Sequence, residues 1–198
     1  MDQTINTYNR IAHQYAESRW NAVSRFRIRA YKKFIKYVKG TEILDAGCGP
    51  GKDAAILISK GFNVIGVDAS KGLLKEAKSR VPEGTFILGD LRNLRLKRKF
   101  DGIWCCASLL HLRKADVGEV INSFKKMLNA DGILFIALKL GEGESIKTYN
   151  YGNKRFFAYY KKAEAEKLVS GEFKIIETYV SAKDKHGDRW VEIFARIK

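Results

Sequence analysis

The stretch ILDAGCGPG, residues 43–51, decides the fold of this chain. An apolar strand is followed by three glycines at alternate positions, Gly47, Gly49 and Gly51, and residues 52–60 are predicted as a helix. Glycine lacks a Cβ atom, so a ligand can approach the backbone closely at these positions. The helix N-terminus that follows offers free N–H groups and a partial positive charge. This order is typical of a nucleotide site at the edge of a parallel sheet.

Acidic residues strengthen the nucleotide interpretation, because one lies at or next to the end of each of three successive predicted strands. Asp45 lies in the first, Asp68 ends the second, and Asp90 follows the third. A carboxylate can accept hydrogen bonds from both ribose hydroxyls, so we expect Asp68 to hold a ribose. Asp90 is placed to meet an adenine amino group. Each acid taken alone is explained equally well as a helix cap or turn residue, whereas the three together favour a nucleotide site.

Helices and strands alternate outward from this segment. Predicted helices cover residues 4–18, about 23–38 with Val23 and Phe26 among the apolar positions, 52–60, about 71–80 after a capping Ser70, about 117–128, and 163–170. Predicted strands cover residues 42–46, 62–67, 85–88, 100–106, 133–138, 173–180 and 190–197. Residues 141–155 are polar and are expected to form a loop or lid.

This order predicts an α/β fold, a Rossmann-like doubly wound sheet of seven strands. The sheet is expected to be parallel except for a C-terminal antiparallel hairpin, because two strands joined by a short turn pair in that way. We expect one domain over residues 1–198. Residues 1–40 form an N-terminal helical cap and residues 41–198 the core.

Composition limits the compartment and the partners. No window approaches the ~20 apolar residues of a membrane span, and residues 1–10 lack the apolar core of a signal peptide. The cytosol is therefore expected. The net charge is +15, from 37 basic and 22 acidic residues. A positive charge of this size is expected either of a protein that binds RNA or of one with a lysine-rich solvated surface. The basic residues are spread along the whole chain, which favours the second explanation.

Cysteine and histidine spacing argues against a metal site. Cys105 and Cys106 are neighbours, Cys48 stands apart, and no pair has zinc-ligand spacing. His13, His111 and His186 lie far apart in the sequence. We expect reduced thiols and no structural metal.

Taken together, these segments resemble class I S-adenosylmethionine-dependent methyltransferases, and most closely their small Methyltransferase-11/25-like branch. The resemblance rests on ILDAGCGPGKDA, VIGVDAS, GDLRNL, FDGIWCCASLLHL and LNADGILFIAL, and on YNRIAHQYAESRW in the cap. It implies S-adenosyl-L-methionine as cofactor. The residues that it implies around the cofactor are Asp45, Gly47, Cys48, Gly49 and Gly51 at the methionine part, Asp68 and Ala69 at the ribose, Asp90 and Leu91 at the adenine, Cys105 or Ala107 near the methionine end, and Tyr15 and Arg19 from the cap. Tyr15 is explained equally well as a packing aromatic.

Methyl transfer from a sulfonium is an in-line displacement, so the main task is to hold the acceptor about 3 Å from the methyl carbon. A base is needed only if the acceptor atom must lose a proton. His111, after the fourth predicted strand, is the candidate base, although shaping the pocket or the turn explains it as well. Cys105 and Cys106 have no evident base beside them, and burial in a strand is favoured over a nucleophilic role.

Candidate acceptor-binding residues lie in the last third of the chain. Glu142 and Glu144 follow the fifth predicted core strand and suit a cationic acceptor or a flexible loop. Tyr159 belongs to an aromatic segment at 156–160, and Arg189 and Trp190 lie at the final hairpin. The basic run at 92–99 would suit RNA phosphates but lacks interleaved aromatic residues for base stacking.

Three functions therefore stay open. A methyltransferase for a small-molecule acceptor is favoured, and an RNA-modifying methyltransferase is the alternative that the charge allows. A non-catalytic interaction module that binds the cofactor is the third, disfavoured by the intact glycine loop and the acids. A nicotinamide-dependent dehydrogenase fits less well, because the glycine spacing departs from G-x-G-x-x-G.

Overall fold

The computed structural model describes residues 3–20, 25–149, 152–184 and 187–198. Val23 and His186 lie outside these residues, as does the side chain of Phe26. The helices of the described part are α1 Gln3–Trp20, α2 Arg25–Tyr37, α3 Lys52–Ile58, α4 Lys71–Arg80, α5 Lys114–Met127 and α6 Lys162–Ser170. The strands are β1 Glu42–Ala46, β2 Asn63–Asp68, β3 Thr85–Leu88, β4 Phe100–Cys106, β5 Leu128–Leu140, β6 Glu144–Tyr149, β7 Asn153–Tyr160, β8 Phe173–Val180 and β9 Trp190–Ile197.

The predicted sheet is confirmed by seven of these strands, which run side by side in the order β3-β2-β1-β4-β5-β9-β8. The first five strands of the chain, β1 to β5, are parallel to one another. Strand β9 is antiparallel to both β5 and β8, which gives the expected C-terminal hairpin. The two halves of the sheet diverge from β1, so the carboxyl ends of β1, β2 and β4 meet at one edge, where such sheets bind ligands.

The core lies on both faces of the sheet because neighbouring side chains of a strand point to opposite faces. Leu44 and Cys105 belong to the apolar cluster under α5 and α6, whereas Ile43 and Cys106 belong to the cluster under α2, α3 and α4. The apolar run at 133–138 in β5 is at most 1% exposed at every position, as a strand covered on both faces requires.

The expectation of a loop or lid over residues 141–155 is wrong. Most of this segment belongs to an antiparallel hairpin of β6 and β7. In it Lys147 pairs with Arg155 and Tyr149 with Asn153. The last two residues of β5 pair in parallel with Tyr159 and Tyr160, which joins the hairpin to the sheet. Every residue of β6 is exposed. A half-buried strand is predicted from alternating apolar and polar residues, and β6 does not need that pattern because neither of its faces is buried.

Helix α1 forms the predicted cap and connects two distant parts of the chain. The Asn9 Oδ1 atom accepts hydrogen bonds from Ser70 Oγ at 2.8 Å and from the Gly72 N–H at 3.0 Å, at the start of α4. On the other side, Thr7 Oγ1 donates to the Lys154 carbonyl at 2.7 Å, and Thr4 Oγ1 accepts from the Phe156 N–H at 2.9 Å. The cap is thus fixed between the carboxyl edge of the sheet and the β6–β7 hairpin.

Candidate functional site

A cavity of about 1180 Å³ opens between the carboxyl ends of β1, β2 and β4, helix α1 and the β6–β7 hairpin. Two sides of this cavity are formed by different parts of the chain. The glycine-loop side consists of Gly47, Gly49, Asp68 and Asp90 with their neighbours. The hairpin side consists of Lys147, Tyr149, Arg155 and Phe157.

The three glycines of the loop have left-handed backbones, with φ of +80° at Gly47, +54° at Gly49 and +83° at Gly51. Few residues other than glycine adopt this conformation without cost. A Cβ atom at Gly47 would lie 2.0 Å from Ser108 Oγ, whereas one at Gly49 would meet no atom of the described residues within 4 Å. The backbone at Gly49 therefore faces open space in the cavity, as a cradle for a ligand requires.

Asp68 fixes the loop and also faces the cavity. Its Oδ2 accepts from the Gly49 N–H at 2.9 Å and its Oδ1 from the Ser70 N–H at 2.8 Å. Burial raises the pKa of this carboxyl above its usual value, and the backbone hydrogen bonds oppose that shift. Each carboxylate oxygen has two lone pairs, so both retain acceptor capacity toward a ligand.

Asp90 caps a turn, which is one of the two roles considered for it, and it lines the cavity with Leu91. Its Oδ1 accepts from the Arg92 N–H at 3.0 Å, and its Oδ2 lies 2.5 Å from Arg92 NH2. Burial alone would raise the pKa of this carboxyl, but the hydrogen bonds from Arg92 outweigh it and lower the pKa.

The expected residues Cys48, Ala69, Ala107, Tyr15 and Arg19 also lie on the cavity wall. The last two come from α1, whose C-terminal end is tied to the glycine loop because Lys52 Nζ donates to the Arg19 carbonyl at 2.9 Å.

Three residues of the expected cofactor set are not among the described residues that line the cavity, namely Asp45, Gly51 and Cys105. Cys105 points into the core on the other face of the sheet, and Cys106 lines the cavity in its place. A Cβ atom at Gly51 would contact Ala77 and Phe86, so this glycine serves the packing of α3. Asp45 is 2% exposed and lies beneath the loop.

The Asp45 carboxylate is costly in this position. Its Oδ2 atom is buried and has no hydrogen-bond partner among the described residues. Burial raises the pKa of Asp45 well above its usual value, and the nearby charges of Asp53 and Asp68 raise it further. Both effects favour the protonated, neutral form of Asp45.

Asp53, at the start of α3, was not singled out from the sequence, although it follows the glycine loop by two residues. Its Oδ1 accepts from Arg27 NH1 at 2.5 Å and from Tyr31 Oη at 2.6 Å. Its Oδ2 accepts from Trp104 Nε1 at 2.9 Å. The carboxylate thereby joins α2, α3 and β4, and Asp53 and Arg27 both contribute to the cavity wall.

On the other side of the cavity, three side chains form a chain of hydrogen bonds. His111 Nδ1 lies 2.7 Å from the Phe156 carbonyl oxygen, which can only accept, so Nδ1 carries the proton. In the neutral ring Nε2 is then the acceptor, and the Tyr8 hydroxyl donates to it at 2.9 Å. Arg155 NH1 in turn donates to the Tyr8 oxygen at 3.1 Å. The nitrogen that would act as a base is already occupied by Tyr8.

Among the expected acceptor residues, Trp190 lines the cavity, whereas Glu142, Glu144, Tyr159 and Arg189 are not among the described residues that do. Glu142 forms an ion pair with Lys161 at 2.9 Å, and Glu144 Oε1 accepts from the Lys114 N–H at 2.7 Å. Arg189 Nε donates to the Ser181 carbonyl at 3.2 Å. The two glutamates fall at the start of the hairpin, and their carboxylates serve contacts outside the cavity.

The described residues contain no group of three or more histidine, cysteine, aspartate or glutamate side chains placed to hold a metal ion. Cys48, Cys105 and Cys106 are free and buried. Burial raises the pKa of Cys105 to about 12 and that of Cys106 further, so neither thiol forms a thiolate readily. Among the described helices, none is both long and apolar enough to cross a bilayer.

Residues 43–132 match a family model described as a methyltransferase domain. A trans-aconitate 2-methyltransferase of Escherichia coli O139:H28 is 33% identical over 106 residues, which cover 52% of this chain and 39% of that protein. A ubiquinone biosynthesis O-methyltransferase of Pelagibacter ubique is 30% identical over 137 residues, which cover 67% of this chain and 54% of that protein. The chain thus spans between 39% and 54% of the length of these two relatives.

Solved structures share the fold over almost the whole chain. A 1,6-didemethyltoxoflavin-N1-methyltransferase of Burkholderia thailandensis, with bound 1,6-didemethyltoxoflavin and S-adenosylhomocysteine, has a TM-score of 0.80 at 19% identity and covers 99% of this chain and 88% of that one. A magnesium protoporphyrin IX methyltransferase of Synechocystis PCC 6803, with bound S-adenosylmethionine, has a TM-score of 0.70 at 18% identity and covers 100% and 98%. Residues 43–132 are therefore similar to the methyltransferase-domain family, and the chain shares its fold with these two methyltransferases.

Proposed function

We propose that this chain is an S-adenosylmethionine-dependent methyltransferase that acts on a small-molecule acceptor, and that residues 1–198 work as one domain with the cap at 1–40. The observation that carries the proposal is the open backbone at Gly49 beside the Asp68 carboxylate, at the carboxyl edge of the sheet. Both relatives named above are methyltransferases, and both solved structures named above contain the cofactor or its demethylated product.

The residues on the glycine-loop side fit S-adenosylmethionine in shape and in charge. Gly47 and Gly49 would border its methionine part, Asp68 would accept from its ribose hydroxyls, and Asp90 with Leu91 would border its adenine. The ligand is a sulfonium cation, and the Asp68 carboxylate on this side of the cavity would attract it. The cavity exceeds the usual ~300–1,000 Å³ of a small-molecule site, which leaves room for an acceptor beside the cofactor.

When bound, S-adenosylmethionine supplies an electrophilic methyl group: the acceptor–carbon bond forms, the carbon–sulfur bond breaks, and sulfur keeps the electron pair as S-adenosylhomocysteine leaves. The protein's contribution is to orient the acceptor and exclude water. We assign His111 to positioning rather than to direct proton removal, because its Nε2 accepts the Tyr8 hydroxyl.

A small acceptor is favoured over RNA by the surroundings of the cavity, which the α1 cap and the hairpin border on two sides. Two of the five basic side chains in the run at 92–99 have carboxylate partners, since Arg92 pairs with Asp90 and Arg98 with Glu42. We place the enzyme in the cytosol, which suits three unpaired and buried thiols.

Incubation of the protein with methyl-labelled S-adenosylmethionine and extracts of small metabolites tests this function. We expect label in a low-molecular-weight product and release of S-adenosylhomocysteine, and neither with the Asp68→Ala variant. Label in tRNA instead would replace the acceptor class. Cofactor binding without any transfer, in extracts and in tRNA, would favour the non-catalytic interaction module.

A further inference from the structure

The hairpin side of the cavity carries positive charge without carboxylate partners. Lys139 reaches the same cavity, but its Nζ lies 2.7 Å from Asp188 Oδ2, so that charge is neutralised. Among the described residues, no carboxylate lies within ion-pair distance of Arg155 or Lys147. On the glycine-loop side, Asp68 has no ion-pair partner among the described residues, so the two sides present different charges to a ligand.

The Arg155 guanidinium has N–H donors that the described part of the chain does not match with acceptors. Aromatic rings surround its guanidinium carbon, which lies 4.0 Å from the Tyr149 ring centroid, 5.4 Å from that of Tyr8 and 5.6 Å from that of Phe157. Such rings interact with the face of a guanidinium, while its N–H donors lie in the plane and need acceptors there. Within the described part of the chain, only NH1 has an acceptor, the Tyr8 hydroxyl, and Nε is buried without one.

Strand register adds an independent observation. Lys147 of β6 and Arg155 of β7 are direct cross-strand partners, and both reach the cavity. Side chains of such partners are close neighbours, and like charges directly opposite each other are destabilising. An anion bound between the two would remove that repulsion.

We propose that the methyl acceptor is a small organic carboxylate, held through its anionic group by Arg155 and Lys147. This inference rests on the proposed function and adds the class of acceptor. A planar guanidinium edge binds a carboxylate through two parallel N–H donors, and a nearby ammonium adds charge. The bound group fixes the orientation of the acceptor toward the glycine-loop side, where the methyl donor would lie.

Calorimetry on the complex with S-adenosylhomocysteine tests the proposal. The probes are succinate, citrate and benzoate, with inorganic phosphate and an RNA oligonucleotide for comparison. We expect at least one carboxylate to bind, and Arg155→Gln to weaken it at least about tenfold, as loss of a charge-assisted hydrogen bond would. Lys147→Gln should weaken it less, and Arg155→Lys should restore part of the loss.

Arg95→Gln is the matched control, because it removes the same charge at an exposed position that is not among the described cavity residues. It should leave carboxylate binding within about twofold of the wild type. Thermal denaturation verifies that each variant folds, and Lys147, being exposed, keeps the test decisive if Arg155→Gln does not fold.

The outcomes separate the two levels of the proposal. If the wild type binds S-adenosylhomocysteine but no carboxylate, or binds only phosphate or RNA, the acceptor class is wrong and the methyltransferase proposal stands. Carboxylate binding that Arg155→Gln and Lys147→Gln leave unchanged would overturn the assigned site. If the folded wild type does not bind S-adenosylhomocysteine at all, the proposed function itself fails.

Discussion

The glycine-loop side and the hairpin side of the cavity are assembled in different ways. Gly49 and Asp68, which hydrogen-bond across the first, are 19 residues apart in the chain. On the second, Tyr8 and His111 are 103 residues apart, and Tyr8 and Arg155 are 147 apart. Local strand–loop–helix geometry builds the first side, while the second depends on docking of the cap and the hairpin. We therefore expect a substitution on one side to have little effect on the ligand that the other side would bind.

The largest effect on stability is expected from Asp53→Ala. This variant tests how far the fold around the glycine loop depends on the buried hydrogen bonds of Asp53. The substitution leaves the Arg27 guanidinium without its carboxylate and removes the acceptor of Tyr31 and Trp104. We expect the free energy of unfolding to fall by about 3 kcal/mol, measured by urea denaturation. Glu172→Ala, which breaks the half-exposed pair with Lys125, is the control and should cost less than about 1 kcal/mol. Equal losses would contradict the supporting role of Asp53.

Gly49→Ala tests the cradle directly. The new Cβ atom projects into open space in the cavity, so it should obstruct the ligand rather than the fold. We expect affinity for S-adenosylhomocysteine to fall by about 2 kcal/mol, roughly 30-fold, in calorimetric titration.

Gly61→Ala is its matched control, because Gly61 is also left-handed, with φ of +87°, and its Cβ atom would also meet nothing within 4 Å. Both variants should lose about 1 kcal/mol of stability from backbone strain. Only Gly49→Ala should lose affinity, and a similar affinity loss in both would show that backbone strain, not the cradle, is responsible.

Tyr8→Phe tests whether the hairpin side acts independently of the glycine-loop side. It removes the hydroxyl that donates to His111 Nε2 and accepts from Arg155 NH1. We expect methyl transfer to slow by about tenfold, since roughly 1–1.5 kcal/mol of positioning is lost. Affinity for S-adenosylhomocysteine should stay within about twofold. A parallel loss of affinity would show that the two sides are not independent.

The smallest effect concerns the pH dependence of stability through Asp45. Its pKa is raised in the folded protein, chiefly by burial, so the folded chain keeps a proton that the unfolded chain has lost. Stability therefore falls as pH rises from the unfolded pKa, near 4, through the raised folded pKa. Asp45→Asn removes this titration and should gain stability relative to the wild type as pH rises. Urea denaturation across pH 4 to 8 measures this, and parallel profiles would contradict it.

Sequence predicted that Gly47, Gly49 and Asp68 lie together at one edge of the sheet, because the determinants of this placement are local. Gly47 and Gly49 follow a buried strand, and Asp68 ends the next, so the parallel sheet brings them together without further information. The same reasoning failed for Cys105 and Cys106, because the pattern of a strand buried on both faces does not say which face lies toward the cavity. Structure assigns Cys106 to the cavity wall and Cys105 to the core.

The hairpin side could not be predicted in this way. Strand β6 is exposed at every residue, and its charges together with the flanking Gly141 and Gly143 suggested a loop. Tyr149 and Ile146 carried some β-propensity, and Gly152 offered a turn, which together are a weak signal for a hairpin. No local pattern could place Tyr8 against His111, because that contact follows from the docking of α1 onto β7.

The most direct test of the central claim is calorimetric titration of S-adenosylmethionine and S-adenosylhomocysteine into the wild type and the Asp68→Ala variant. We predict micromolar binding by the wild type and a loss of at least about 100-fold in the variant, because Asp68 fixes the Gly49 loop and would accept from the ribose hydroxyls. Absence of binding by a folded wild-type protein, or equal affinity in the variant, would contradict the account of the glycine-loop side as a cofactor site.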